Sequence, residues 1–119
     1  MQYLMLIYDD EKTWETMAPE TAQVEFAAYM QYTKDMMAAG VHLGGAPLKP
    51  VATATTVRVR GGKLATTDGP FAETKEQLGG YYLVDVPTLD EALKWAAKCP
   101  SAKYGSVEVR PVMPVPMPG

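Results

Sequence analysis

The sequence predicts an α+β fold in which a mostly antiparallel sheet carries two helices on one face. Three observations lead there. A short apolar run, Tyr3 to Tyr8, ends abruptly at Asp9-Asp10-Glu11, as a strand covered on both faces would. Two stretches carry helix punctuation, one between Pro19 and Gly40 and one between Thr88 and Pro100. Between them, Thr53 to Thr67 alternates around the tight turn Gly61-Gly62 in the manner of a hairpin. At 119 residues, 47% hydrophobic and 21% charged, the chain has the composition of a packed globular protein rather than a disordered tail. One core suffices at this length, so one domain is expected over residues 1–112, followed by a proline-rich tail, 113–119.

Each element has its own reason. Tyr3 to Tyr8 is the first strand, and a polar loop follows it. Pro19 suits the first turn of a helix and Gly40 its C-terminal cap. Within that frame Phe26, Tyr29, Met30, Thr33, Met36 and Met37 share one helical face, expected to cover the sheet. Val41 to Leu43 is a short second strand, ended by Gly44-Gly45 and by Pro47 and Pro50, which predict a loop. In the hairpin, Val57 and Val59 face one way and Arg58 and Arg60 the other, which leaves one side wet. Tyr81 to Val86 is a strand by its β-favouring residues, and Pro87 stops it. Thr88 and Glu91 form a capping box, and Leu89, Ala92, Leu93, Ala96 and Ala97 make the apolar stripe of the helix that follows. Val107 to Val112 is the last strand. Strand, helix, short strand, hairpin, strand, helix, strand is a ferredoxin-like order.

Several functions are disfavoured. A net charge of −3 and the lack of any Lys/Arg run argue against nucleic acid as a partner. The first apolar run is far too short to span a membrane. Cys99 is the only cysteine, so no internal disulfide forms, and the cytoplasm is the expected compartment. His42, the only histidine, has no Cys, Asp or Glu at ligand spacing, so no metal site and no cofactor are expected. The glycine pairs lack any phosphate-loop context.

Polar chemistry concentrates between Thr67 and Gly80. Asp68 can accept hydrogen bonds from backbone N–H groups beyond it, Gly69-Pro70 turns the chain, and Phe71 is expected to pin the turn to the core. If Ala72 to Gln77 is a helical turn, Glu73, Glu76 and Gln77 share a face; if it is extended, Glu73, Lys75 and Gln77 do. This stretch, Asp68-Gly69-Pro70-Phe71 continued by Ala72-Glu73-Thr74-Lys75-Glu76, resembles the signature of the DGPF branch of the YCII-related proteins. The resemblance extends from the first strand to Val107-Glu108-Val109-Arg110-Pro111. It implies a dimeric α/β-barrel, built from two ferredoxin-like protomers, with a pocket between sheet and helices. In the wider group a helix histidine and a sheet aspartate have been proposed as a catalytic pair. Aligning Gly40 with the common helix end puts Tyr29 where that histidine would fall.

The candidate site is therefore Asp68 and Tyr29 as catalytic groups, with Glu73, Lys75, Glu76 and Tyr81 as substrate-binding groups. One reading is cofactor-free acid/base chemistry on an unidentified small molecule, with Asp68 moving a proton and Lys75 or a tyrosine hydroxyl steadying negative charge. A second is a non-catalytic binding or regulatory homodimer: relatives of the family are often encoded beside, or fused to, extracytoplasmic-function sigma factors, so the resemblance permits a protein partner in transcription regulation. In a third, the charged segment only builds the dimer. Against each stands a plain structural role: Asp68 as a turn cap, the charges as a solvated connector.

Overall fold

The computed structural model describes residues 1–118; Gly119, the end of the expected tail, lies outside them. Strand β1 (Gln2–Asp9) runs centrally, and its burial alternates strictly: Tyr3, Met5, Ile7 and Asp9 are buried, and Leu4, Leu6 and Tyr8 only partly so. The period of two gives the sheet a covered face and an open one. Helix α1 (Glu11–Glu15) follows where the sequence pointed only to a polar loop. Asp10 initiates it, its side chain accepting from the Lys12 N–H at 3.0 Å, so the acidic run that ends the strand also caps a helix.

Helix α2 (Pro19–Ala38) starts with proline in its first turn, as expected. It ends at Gly40, whose φ of 73° lets the Gly40 and Val41 N–H groups return to the Met37 and Met36 carbonyls at 3.0 and 3.1 Å. Its expected apolar face does not cover the sheet as a unit. Only Met36 is buried, alongside Tyr32 and Glu25, whereas Phe26, Met30 and Met37 stay exposed. The helix touches the sheet along one edge of that stripe and stands off it along the other.

Strand β2 (His42–Pro47) runs through the glycines and Pro47, where a loop was expected. It is an edge strand, so a missing N–H on its outer side costs no ladder bond. Gly45 permits the close pairing, since a Cβ there would lie 2.6 Å from the Tyr81 carbonyl oxygen. Strands β3 (Thr55–Arg60) and β4 (Lys63–Asp68) form the expected hairpin, but as a separate two-stranded sheet. Strand β5 (Gln77–Asp85) begins earlier than its aromatic residues suggest and takes in Gly79-Gly80, opposite a bulge between Ile7 and Tyr8. Helix α3 (Leu89–Lys98) is capped by the Thr88 hydroxyl, which accepts from the Glu91 N–H at 3.2 Å; Ala92 and Ala96 are buried, while Leu89 and Leu93 remain exposed. Strand β6 (Ser106–Pro111) completes a sheet of order β2-β5-β1-β6, antiparallel throughout. This is the ferredoxin-like α+β arrangement the element order predicts. Met5, Val84 and Met36 lie fully buried between the sheet and helices α2 and α3.

Candidate functional site

Because α2 leaves the sheet along one edge, a cavity of about 640 Å³ opens between them, bounded by α1 and the ends of β1, β2 and β5. Its walls are mainly apolar and aromatic, with Ile7, Trp14, Phe26, Met30 and Met37 prominent. Among the polar lining groups, Asp9 is 5% exposed, and such a carboxylate must be compensated. Its Oδ2 accepts from the Trp14 indole N–H at 2.9 Å and from the Ser101 hydroxyl at 3.1 Å. Its Oδ1 accepts no hydrogen bond from the described residues, yet keeps accessible surface, since no buried side-chain oxygen among them lacks a partner. Gly79 stands beside that oxygen, where a Cβ would come within 3.5 Å.

Behind Asp9 lies a chain of hydroxyls. Ser101 is fully buried in the turn after α3, and its Oγ is also hydrogen-bonded to the Tyr29 phenol. Serine has one proton and an ionised carboxylate has none, so with Ser101 donating to Asp9 the Tyr29 hydroxyl donates to Ser101. Burial is the main cause that raises the Tyr29 phenol well above its ordinary value, opposed by the Ser101 hydrogen bond and reinforced by Cys99, so it stays a protonated donor. Burial likewise raises the Cys99 thiol, which lies 3.6 Å from the Tyr29 oxygen and is thereby no ready nucleophile. A second pair lines the same wall. The Thr33 hydroxyl donates to the Tyr29 carbonyl at 3.0 Å, so the Tyr82 phenol, also raised chiefly by burial, donates to Thr33 at 2.8 Å. His42 enters the lining with its ring edge-on to Tyr82, the centroids 6.0 Å apart.

The structure distributes the residues singled out in the sequence. Tyr29 lines the cavity; Tyr81 reaches the lining through β5, but its register partner is Leu6, on the open face of the sheet. Asp68 ends β4 opposite Thr55, exposed, and its carboxylate accepts no bond from the described residues, so the expected backbone cap is absent. Glu73 and Lys75 are exposed in a segment that is neither helical nor extended. Glu76 accepts from the Ser106 hydroxyl at 2.8 Å, and the Gln77 side-chain oxygen from the Glu11 N–H at 2.9 Å. None of Asp68, Glu73, Lys75 and Glu76 belongs to the cavity lining. Phe71 does not pin the turn to the core: it is 77% exposed, with the Arg58 guanidinium 5.6 Å from its ring centre. The polar groups that do converge, Asp9, Trp14 and Ser101, carried only strand-end, loop and turn signals in the sequence. Among the described residues no three His, Cys, Asp or Glu side chains gather as metal ligands, and no helix is long and apolar enough to cross a membrane.

Comparison with known proteins bears on the whole chain. A family model described as the YCII-related domain matches residues 1–116. An uncharacterized protein of Rhizobium meliloti (strain 1021) is 39% identical over 114 residues, 94% of this chain and 92% of the relative. Among solved structures, 5-chloro-2-hydroxyhydroquinone dehydrochlorinase from Burkholderia phenoliruptrix, in complex with 2,5-dihydroxybenzoquinone, superposes with a TM-score of 0.56 at 16% identity, covering 95% of this chain and 94% of its own. At that identity the likeness is one of fold.

Proposed function

Since the chain belongs to the YCII-related family, we propose that it acts as a homodimer on a small cyclic molecule bearing hydroxyl or keto groups, by acid/base chemistry without a cofactor. The observation that carries this reading is the Asp9 carboxylate: it lines an apolar cavity, is fixed through Oδ2 by Trp14 and Ser101, and keeps an accessible Oδ1 that accepts no hydrogen bond from the described residues. A general base needs a held orientation and a free lone pair, and Asp9 has both. The role expected of Asp68 thus passes to Asp9, while Tyr29 keeps a place in the site by holding the Ser101 hydroxyl towards the carboxylate. Phe26, Trp14 and the methionines suit a flat ring, for thioether and aromatic faces adapt to one at little cost. The quinone held by the structural neighbour belongs to this class of compound and supports the choice.

The proposed chemistry is transfer of a proton from a ring hydroxyl or an activated C–H of the bound molecule to Asp9 Oδ1. The developing negative charge on the substrate oxygen would draw on a fixed polar group of the lining, and His42, whose ring makes no hydrogen bond to the described residues, is available for it. For the homodimer the support is the open face of the sheet, where Leu4, Leu6, Leu78 and Leu83 lie only half-covered.

A thermal-shift screen of hydroxylated quinones and hydroquinones against the wild type and Asp9→Asn tests the proposal, because a ligand that binds the native state raises its stability. Stabilisation of the wild type, spectral turnover of the same compound, and loss of turnover with retained folding in Asp9→Asn are the expected results. Stabilisation without turnover would move the assignment to the binding reading. Equal turnover by the variant would refute the role of Asp9.

A further inference from the structure

Strands β2 and β5 pair, β3 and β4 pair, and the two ladders follow each other in the same two legs of chain, so β2–β3 and β4–β5 are one long ribbon. It is interrupted by residues 48–54 on one leg and 69–76 on the other. The Leu48 N–H bonds the Gly79 carbonyl at 2.9 Å where the first ladder ends, and the Gly69 N–H bonds the Ala54 carbonyl at 2.7 Å where the second begins. Beyond that elbow β3 and β4 pair as strands only with each other. An isolated two-stranded hairpin is marginal in water and needs a surface to lie on. This one has an apolar face made for that: Val57, Val59 and Leu64 share a side of the ribbon and are 58%, 59% and 69% exposed.

We propose that the β3–β4 ribbon is an arm that closes on a second copy of this chain, its Val57–Val59–Leu64 face against the partner, in a reciprocal two-fold exchange. The proposal rests on the homodimer inferred above and names what completes it. Area favours a second copy. Four strands roughly 20 Å long give the open sheet face about 400 Å² in projection, a small platform for the ~800 Å² of accessible surface per partner that a stable interface buries. One arm face adds roughly 200 Å², and under two-fold symmetry each protomer both gives and receives one. The exchange doubles the projected area in contact. Charge agrees: the arm carries Arg58, Arg60 and Lys63 against the single acid Asp68, in a chain of net charge −3, so each arm is attracted to the acidic body of its partner. The conspicuous Asp68-Gly69-Pro70-Phe71 then has a mechanical part to play. It forms the elbow, with Gly69 at φ 105° and the Thr56 hydroxyl donating to the Gly69 carbonyl at 3.0 Å, and it sets the angle at which the arm leaves the sheet.

Sedimentation equilibrium of the full chain and of a Val57→Asp/Val59→Asp variant, with amide hydrogen exchange of residues 55–68 followed across a dilution series, tests the arm. The expected result is a dimer whose dissociation constant rises by roughly 100-fold in the variant, with arm amides protected in the dimer and exchanging freely in the monomer. Val57→Thr/Val59→Thr, which keeps the β-branched ribbon and adds no charge, should weaken the dimer in the same direction by a smaller factor. A dimer equally tight in both variants, or arm amides that exchange freely within it, overturns the arm and leaves the sheet-face dimer standing. Protected arm amides in a monomer also overturn it, since the arm would then be packed on its own chain. A wild type that is monomeric throughout removes the dimer and the arm together.

Discussion

Replacing Ser101 by alanine tests whether the hydroxyl chain behind Asp9 is a single energetic unit. The residue is fully buried, and its one oxygen serves both Asp9 at 3.1 Å and the Tyr29 phenol. Removing it takes a hydrogen bond from a charged group, about 1.5–3 kcal/mol, and leaves the Tyr29 donor with only the weak Cys99 sulfur, costing roughly another 1 kcal/mol. A loss of about 3 kcal/mol is expected, a large part of the stability of a domain this size. In Tyr29→Phe the serine keeps Asp9, so that variant should lose about 1 kcal/mol. The double variant carries no orphaned phenol and should cost no more than Ser101→Ala alone, an interaction energy of roughly 1 kcal/mol. Urea unfolding followed by the fluorescence of Trp14 and Trp95 supplies the cycle, and an unchanged slope would show that midpoint shifts report stability. Additivity within about 0.4 kcal/mol would refute the coupled chain.

Two further expectations follow from the same geometry. Gly105 faces the backbone of β1, where a Cβ would lie 2.2 Å from the Tyr8 carbonyl oxygen and 2.9 Å from the Asp9 Cβ; neither atom can swing aside, so Gly105→Ala should cost about 3 kcal/mol and lower Tm by roughly 10 °C. A calorimetric Tm within about 2 °C of the wild type would contradict that packing. At alkaline pH, burial holds the Tyr29, Tyr32 and Tyr82 phenols above their ordinary value, so the folded chain keeps protons that the unfolded chain releases from about pH 10 upward. The unfolded state then binds fewer protons, and stability, complete below about pH 9, must fall as the pH rises above 10. Phenolate absorbance from these three residues should appear only together with unfolding; native circular dichroism with all seven tyrosines ionised would exclude it.

The parts of the fold legible in the sequence are those set by local chemistry. Pro19, Gly40 and Thr88 act on backbone within a turn of themselves, and each does in the structure what it does in a peptide. The alternation of Val57 with Arg58 fixes the hairpin register without any help from the rest of the chain. Strand β2 was hidden because its two glycines and Pro47 discourage pairing everywhere except at a sheet edge, and edge position is a property of the whole sheet. The stripe on α2 had the right period but divides between two surroundings: Met36 packs into the core while Phe26, Met30 and Met37 wall the cavity. Spacing along a helix tells which side chains share a face, and it carries no information on what that face meets or how closely.

The site was harder to read because its key contacts are distant in sequence. Asp9 and Ser101 are 92 positions apart, and Glu11 meets Gln77 across 66. Nothing local distinguishes Asp9, which ends a strand, from Asp10, which caps a helix; only the placement of Trp14 and Ser101 turns one into a buried carboxylate and leaves the other in a cap. The charged signature is dense, yet Glu76 and Gln77 hydrogen-bond to β6 and α1, and the Gly69 carbonyl accepts from Thr56. A run of charged residues between glycines is what an elbow demands as much as what a catalytic loop does, since both need solvated side chains and free φ angles. The distinction rests on burial: a base that works in an apolar cavity must be held by neighbours that compensate it, and of the two aspartates Asp9 has those neighbours and Asp68 does not.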